Sequence, residues 1–234
     1  MRITTQITPR THAAKGWLAA IALVSVGISA PAIAQQDQQA LVTSAQSTFS
    51  DFVRDPDMTW FRANIGKARA VLIAPEIVKA GWIFGGSGGR AVLYARDSQG
   101  KWDGPAFYNI GAASIGFQAG LSVSQTLTLI MTDKGLNTLL ANSVKLGGDA
   151  SVAVGPVGAG ANSTILADFV AFSRSKGLYG GLNLEGAVIS PANDWNNAYY
   201  GKNVLPPDIL VRGDTHNPQG EQLAADIGRA AKVN

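Results

Sequence analysis

The sequence predicts an α+β fold: a single domain built on a strongly curved, glycine-rich antiparallel sheet or barrel-like core, with helices at both ends. Three observations carry this. Between residues 76 and 133 apolar side chains recur at every second position, as in Trp82 and Phe84, Val92 and Tyr94, and Leu127, Leu129 and Met131. That period turns one face of each strand toward a core and the other toward water. Glycines stand inside these runs as well as between them (Gly81, Gly111, Gly116, Gly120), where they mark bulges, sharp bends or close backbone approach. Near both ends the spacing changes to the helical period.

Taken in order, residues 1–34 read as a leader. Arg2, Arg10 and Lys15 form a basic head, and residues 17–28 are an uncharged apolar run of about 12, short of the roughly 20 a spanning helix needs. Ala32-Ile33-Ala34 supplies a small-x-small cleavage pattern, so a mature chain starting at Gln35 is expected, in a periplasmic or secreted location. Residues 35–234 then form the domain. In residues 38–53, Leu41, Ala45, Phe49, Phe52 and Val53 make one helical stripe, opposite Gln39, Thr43, Gln46, Ser47 and Ser50. Pro56 ends that helix. Asp57 is the expected N-cap of a second, with Met58, Phe61, Ile65 and Ala68 inward.

An apolar run from Ala70 reads as a buried strand. Turns are expected at Gly85-Gly86-Ser87-Gly88-Gly89 and at Asp97-Ser98-Gln99-Gly100. A short helix over 133–142 presents Leu136, Leu139 and Leu140. Strands are expected around 151–154, 165–173 and 180–190. Ser190 and Pro191 look like the N-cap and first residue of a helix that Gly201 closes. After a Pro-containing connection over 204–214, a last helix begins at Asn217-Pro218 with Leu223, Ile227 and Ala231 inward.

The charge balance excludes one class of partner. The chain has 19 Lys+Arg against 16 Asp+Glu, and removing the leader's three cations leaves parity. Nucleic acid is therefore no expected partner, because phosphate binding needs a dense cationic surface. There is no cysteine, so neither a disulfide framework nor a lipid-modified amino-terminal cysteine is expected.

Catalytic hardware is sparse. Gly86-Ser87-Gly88-Gly89-Arg90-Ala91 formally matches a dinucleotide fingerprint, but a strand-like run follows where a helix is required. His216 is the only imidazole after the leader, beside Asp214 and Asn217, and no nucleophile elbow accompanies it. With one imidazole and no thiolate, a zinc site built on two or three histidines or on cysteines is excluded. Asp168 and Glu185 are the acids weighed as a glycosidase-like pair, which would have to share one cleft. No enzyme, cofactor or metal is expected.

Many short motifs in a fixed order resemble the SYLF domain family: AP at 74–75, VKAG at 78–81, GGSGG at 85–89, GKWDGPAF at 100–107, GAASIGFQAG at 111–120, KLG at 145–147, GPVG at 155–158, SRSKGL at 173–178, GLNLEG at 181–186 and YG at 200–201. The resemblance spans about residues 61–201. It implies a lipid-binding domain; eukaryotic members bind phosphoinositides and regulate actin at membranes, and bacterial members are exported. It also implies membrane contact through an amino-terminal amphipathic helix, here residues 38–53, although this helix lacks the family's basic residues.

The expected function is thus a non-enzymatic, exported domain that binds lipid or a membrane surface, with anionic or phosphoinositide-like head groups. Leu41, Phe49, Phe52 and Val53 are the candidate inserting residues; Lys67, Arg69, Lys79 and Arg90 are the candidate head-group contacts. The other reading is a protein-interaction or envelope-structural module using the same apolar surface. Export makes actin an unexpected partner. For the helix over 38–53, packing on the protein's own sheet is the alternative to insertion.

Overall fold

The computed structural model describes residue 1 and residues 31–81, 84–115, 120–160, 164–175, 178–179 and 184–232. Most of the predicted leader, Trp82, and residues 116–119 and 180–183 lie outside the described residues.

Six helices and nine strands are described: α1 (Pro31–Arg54), α2 (Thr59–Asn64), β1 (Ala70–Gly81), β2 (Phe84–Arg96), β3 (Trp102–Ile115), β4 (Gly120–Ile130), α3 (Asp133–Ala141), β5 (Val144–Lys145), β6 (Val152–Val154), β7 (Phe169–Ser175), β8 (Leu178–Tyr179), β9 (Val188–Pro191), α4 (Asn193–Tyr200), α5 (Pro206–Leu210) and α6 (Pro218–Lys232). The strands form one sheet in the order β5-β9-β3-β2-β1-β4-β7-β6, with β8 on β7. It curls part-way round as a half-barrel. All the pairings are antiparallel except β6 with β7, which is parallel, so the sheet is mixed rather than purely antiparallel.

The sheet is covered on both faces. On one, Val71, Ile73, Val92, Tyr94, Phe107, Leu127 and Leu129 pack with α1, α2, α4 and α6. On the other, Ala70, Leu72, Leu93, Tyr108 and Ile130 pack with Leu139 of α3 and Ile209 and Leu210 of α5. The start of β1 is therefore buried throughout, Ala70 to Ala74, as a strand between two layers must be.

Pro75 shifts the register of β1 against both neighbours, between Ile73 and Glu76 on the β2 side and between Ala74 and Ile77 on the β4 side. A proline cannot donate to a ladder, so a bulge is where a central strand tolerates one. Beyond the bulge the alternation changes phase: Ile77 joins Ala74 in the second core, and Glu76 and Val78 turn to the α1 side.

Several expectations need correction. The Gly85–Gly89 stretch is no turn; it lies within β2, paired to β1 and to β3 at every residue. Glycine frequency signals turns, but here backbone hydrogen bonding on both sides keeps the chain extended. Met58, not Asp57, precedes α2 as its cap residue. The run 165–173 becomes strand only at Phe169. Glu185 and Gly186 form a turn before β9, so the strand reading over 184–187 fails. Pro191 ends β9, and Ala192 rather than Ser190 caps α4. The 204–214 connection contains α5. Asp103 and Gly104 lie in β3 at a register shift opposite β2. The predicted inward residues of α2, α3 and α6 do face their cores.

Candidate functional site

Helix α1 crosses the first face of the sheet with Val42, Ala45, Phe49 and Phe52 almost wholly buried. Phe49 and Phe61 meet edge to face at 6.3 Å, and Phe61 meets Phe172 at 5.7 Å. Arg174 of β7 holds the helix's far end: its guanidinium donates to Asp51 at 3.1 Å and Gln125 at 2.8 Å, and lies over the Phe52 ring. At the near end Gln35 donates to the carbonyl of Tyr199 at 2.9 Å.

Between α1, the middle of β1–β3 and α4 there is a groove of about 700 Å³, lined by Asp37, Leu41, Glu76, Val78, Gly88, Gly89, Arg90, Asn109, Ile110 and Trp195 among others. Trp195 is held by Phe107, ring to ring at 5.8 Å. Asn196 fixes α4 on β3 by accepting from the Phe107 N–H at 2.8 Å. The Arg90 guanidinium lies over the Trp195 ring, 4.0 Å from its centroid, a cation–π contact. Gly89 is required where it stands, because a Cβ there would come within 2.2 Å of the Glu76 carbonyl oxygen at the bulge.

The groove opens onto sheet that no described helix covers. On the same face, alternation places Val78 and Ala80 of β1, Gly86 and Gly88 of β2, Gly111 and Ala113 of β3, and Leu121 and Val123 of β4 side by side. Leu121 is 70% exposed and Val123 45%.

Of the eight candidate residues, the structure brings only Leu41 and Arg90 together in this groove. Phe49 and Phe52 are core, so in this arrangement they are not available to a bilayer; the helix packs on the sheet instead. Val53 is half-buried against the same core. Arg69 is paired with Asp133 at 3.0 Å, and Lys67 donates to Asn64 at 3.2 Å. Lys79 projects from the opposite face of β1 to Val78. The sequence reading missed Asp37, Glu76, Asn109 and Trp195, although alternation from Val92 back through Arg90 could have marked that face of β2.

The two weighed acids have different roles. Asp168, largely buried, accepts from Thr132 Oγ1 at 2.6 Å and from the Ser151 hydroxyl and N–H at 2.8 and 3.0 Å, with Lys134 Nζ at 3.5 Å. Burial alone would raise its pKa, but these hydrogen bonds and the ammonium outweigh it and bring it to about 2. It is a structural clamp between α3, β6 and β7. Glu185 is exposed in its turn. His216 is an exposed loop residue 2.6 Å from Glu221. Burial raises the phenol pKa values of Tyr94 and Tyr108, which donate as neutral groups to the Gly220 and Leu139 carbonyls.

A family profile described as Ysc84, the Las17-binding protein actin regulator, matches residues 111–230, just over half of the chain. This chain belongs to the Ysc84 family. That family is the one its ordered SYLF motifs imply. Among its relatives, SH3 domain-containing YSC84-like protein 1 of Homo sapiens is 31% identical over 165 residues, covering 68% of this chain and 48% of the relative. LAS seventeen-binding protein 3 of Saccharomyces cerevisiae is 31% identical over 141 residues, covering 57% of this chain and 31% of the relative. The chain thus spans about half or less of the length of the curated relatives it matches. The expectation that actin is no partner finds no support here, since the matching Ysc84 family is itself described as an actin regulator.

Proposed function

We propose that this Ysc84-family chain is a non-enzymatic, exported domain that associates with lipid at a membrane surface. The observation that carries the reading is the uncovered apolar end of the sheet, with Leu121 and Val123 exposed beside a groove that mixes apolar and charged side chains. A contiguous exposed apolar patch marks an interaction surface. The proposed export rests on the leader pattern of residues 1–34.

Flotation with liposomes tests the lipid reading. Co-migration with vesicles, weakened by Leu121→Asp or Val123→Asp, is the expected result; absence of co-migration with both neutral and anionic vesicles removes the reading. Export is checked by fractionating expressing cells and sequencing the amino terminus, which should begin at Gln35.

A second reading, a protein-interaction or envelope-structural module using the same face, is favoured by the family's description as a Las17-binding actin regulator. It predicts that the two aspartate variants abolish capture of a specific protein partner while vesicle binding is absent. Co-sedimentation with filamentous actin belongs in that test.

A further inference from the structure

We propose that the groove under α1 holds the head group of a zwitterionic aminophospholipid, with the acyl chain running out over the uncovered end of the sheet. This deepens the lipid reading above and rests on it.

The argument starts from charge. Arg90 and Glu76 are direct partners across β2 and β1, where side chains on one face stand about 5 Å apart at Cβ. Among the described residues they form no ion pair; the guanidinium lies over Trp195 instead. Glu76 and Asp37 are both exposed and line the same groove, so it presents one cation and two carboxylates. A purely anionic head group would satisfy Arg90 and be repelled by the acids. A phosphate ester carrying a primary ammonium satisfies all three: phosphate to the guanidinium, whose fork suits it, and ammonium to the carboxylates.

The chain's path follows from the floor of the groove. From Val78 the same sheet face continues to Leu121 and Val123 without a charged residue. The glycine at 111 is not demanded by the protein's own packing, since a Cβ there meets nothing within 4 Å. β1 and β2 are hydrogen-bonded on both sides along this stretch. These two strands therefore offer no free backbone groups to an added peptide strand, and what their surface can hold is a ligand that needs only apolar contact.

The test titrates the full chain with dihexanoyl phosphatidylethanolamine, dihexanoyl phosphatidylglycerol and glycerophosphoethanolamine, by calorimetry. The ethanolamine lipid should bind at least 10-fold tighter than either of the others. Asp37→Asn combined with Glu76→Gln should erase that preference by weakening the ethanolamine lipid 10-fold or more, without weakening the glycerol lipid. Gly111→Val should melt no lower than the parent and yet lose lipid; should it unfold, Val123→Asp, on the exposed side, takes its place. Preference for the glycerol lipid, indifference to the double variant, or equal binding of the chainless head group overturns the proposal and leaves the lipid reading standing. No binding of any lipid, here and in flotation, removes both.

Discussion

At the scale of single residues, the molecule is most sensitive where backbone comes close to backbone. Gly89→Ala would drive a Cβ to 2.2 Å from the Glu76 carbonyl oxygen, and neither strand can yield because each is paired on its other side. A loss of about 2–4 kcal/mol is expected in denaturant unfolding, against almost none for Gly111→Ala. Asp168 is the second such point. Its carboxylate pKa is held down at about 2 by Thr132, Ser151 and Lys134, below its unfolded value. The stability it contributes is therefore complete above pH about 4 and lost as pH falls through about 2. Asp168→Ala should cost about 2–3 kcal/mol at neutral pH and flatten the acid limb of a thermal-stability profile; an unchanged limb would remove the clamp. The identity of that acid's partners could not be read from the sequence, because Thr132 and Ser151 are brought to it only by the strand pairing.

At the scale of elements, α1 decides the most. Its stripe was legible, since Phe49 and Phe52 recur at helical spacing, but the pattern could not say whether protein or bilayer covers it. The structure places both against Phe61, Phe172 and the sheet. Burial of Val42, Phe49 and Phe52 is worth about 5–9 kcal/mol together, comparable with the whole stability of a typical domain, about 5–15 kcal/mol. Deleting residues 35–55 should thus abolish cooperative unfolding, and Phe52→Ala alone should cost about 3–5 kcal/mol. A truncated chain that still melts sharply would show the helix to be dispensable. The glycine strand was the least legible element. Gly85–Gly89 offers almost no side-chain pattern, and only its partners on β1 and β3 define it as strand. α5 was hidden for a different reason: five residues starting at Pro206 are too few to display a period.

At the scale of the whole molecule, the sheet is firm at one end and bare at the other. The end holding Ala70–Ala74 and Val92–Tyr94 lies between two buried cores; the end holding Ala80, Gly86, Ala113 and Leu121 has one open side. Amide exchange should follow this gradient, slowest at Leu72 and Leu93 and fastest at Ala80 and Leu121. Uniform protection along β1 would contradict it. The sequence foretold the fold class, the helical ends and the curvature, all of which follow from local periods and glycine placement. It could not foretell the groove, which exists only because β1, β2, β3, α1 and α4 meet.

The bulge at Pro75 decides which side chains of β1 face that meeting. By adding one residue to β1 it works like a frameshift in a two-letter code: what would have been inward is read outward from there on. Excising Pro75 would remove the surplus residue and leave plain alternation, with Glu76 still opposite Arg90 and Ile77 still on the Ala74 side of the sheet. The polarity of half a strand thus matches that of its neighbours only because the strand spends one residue, between Ala74 and Glu76, outside the ladder.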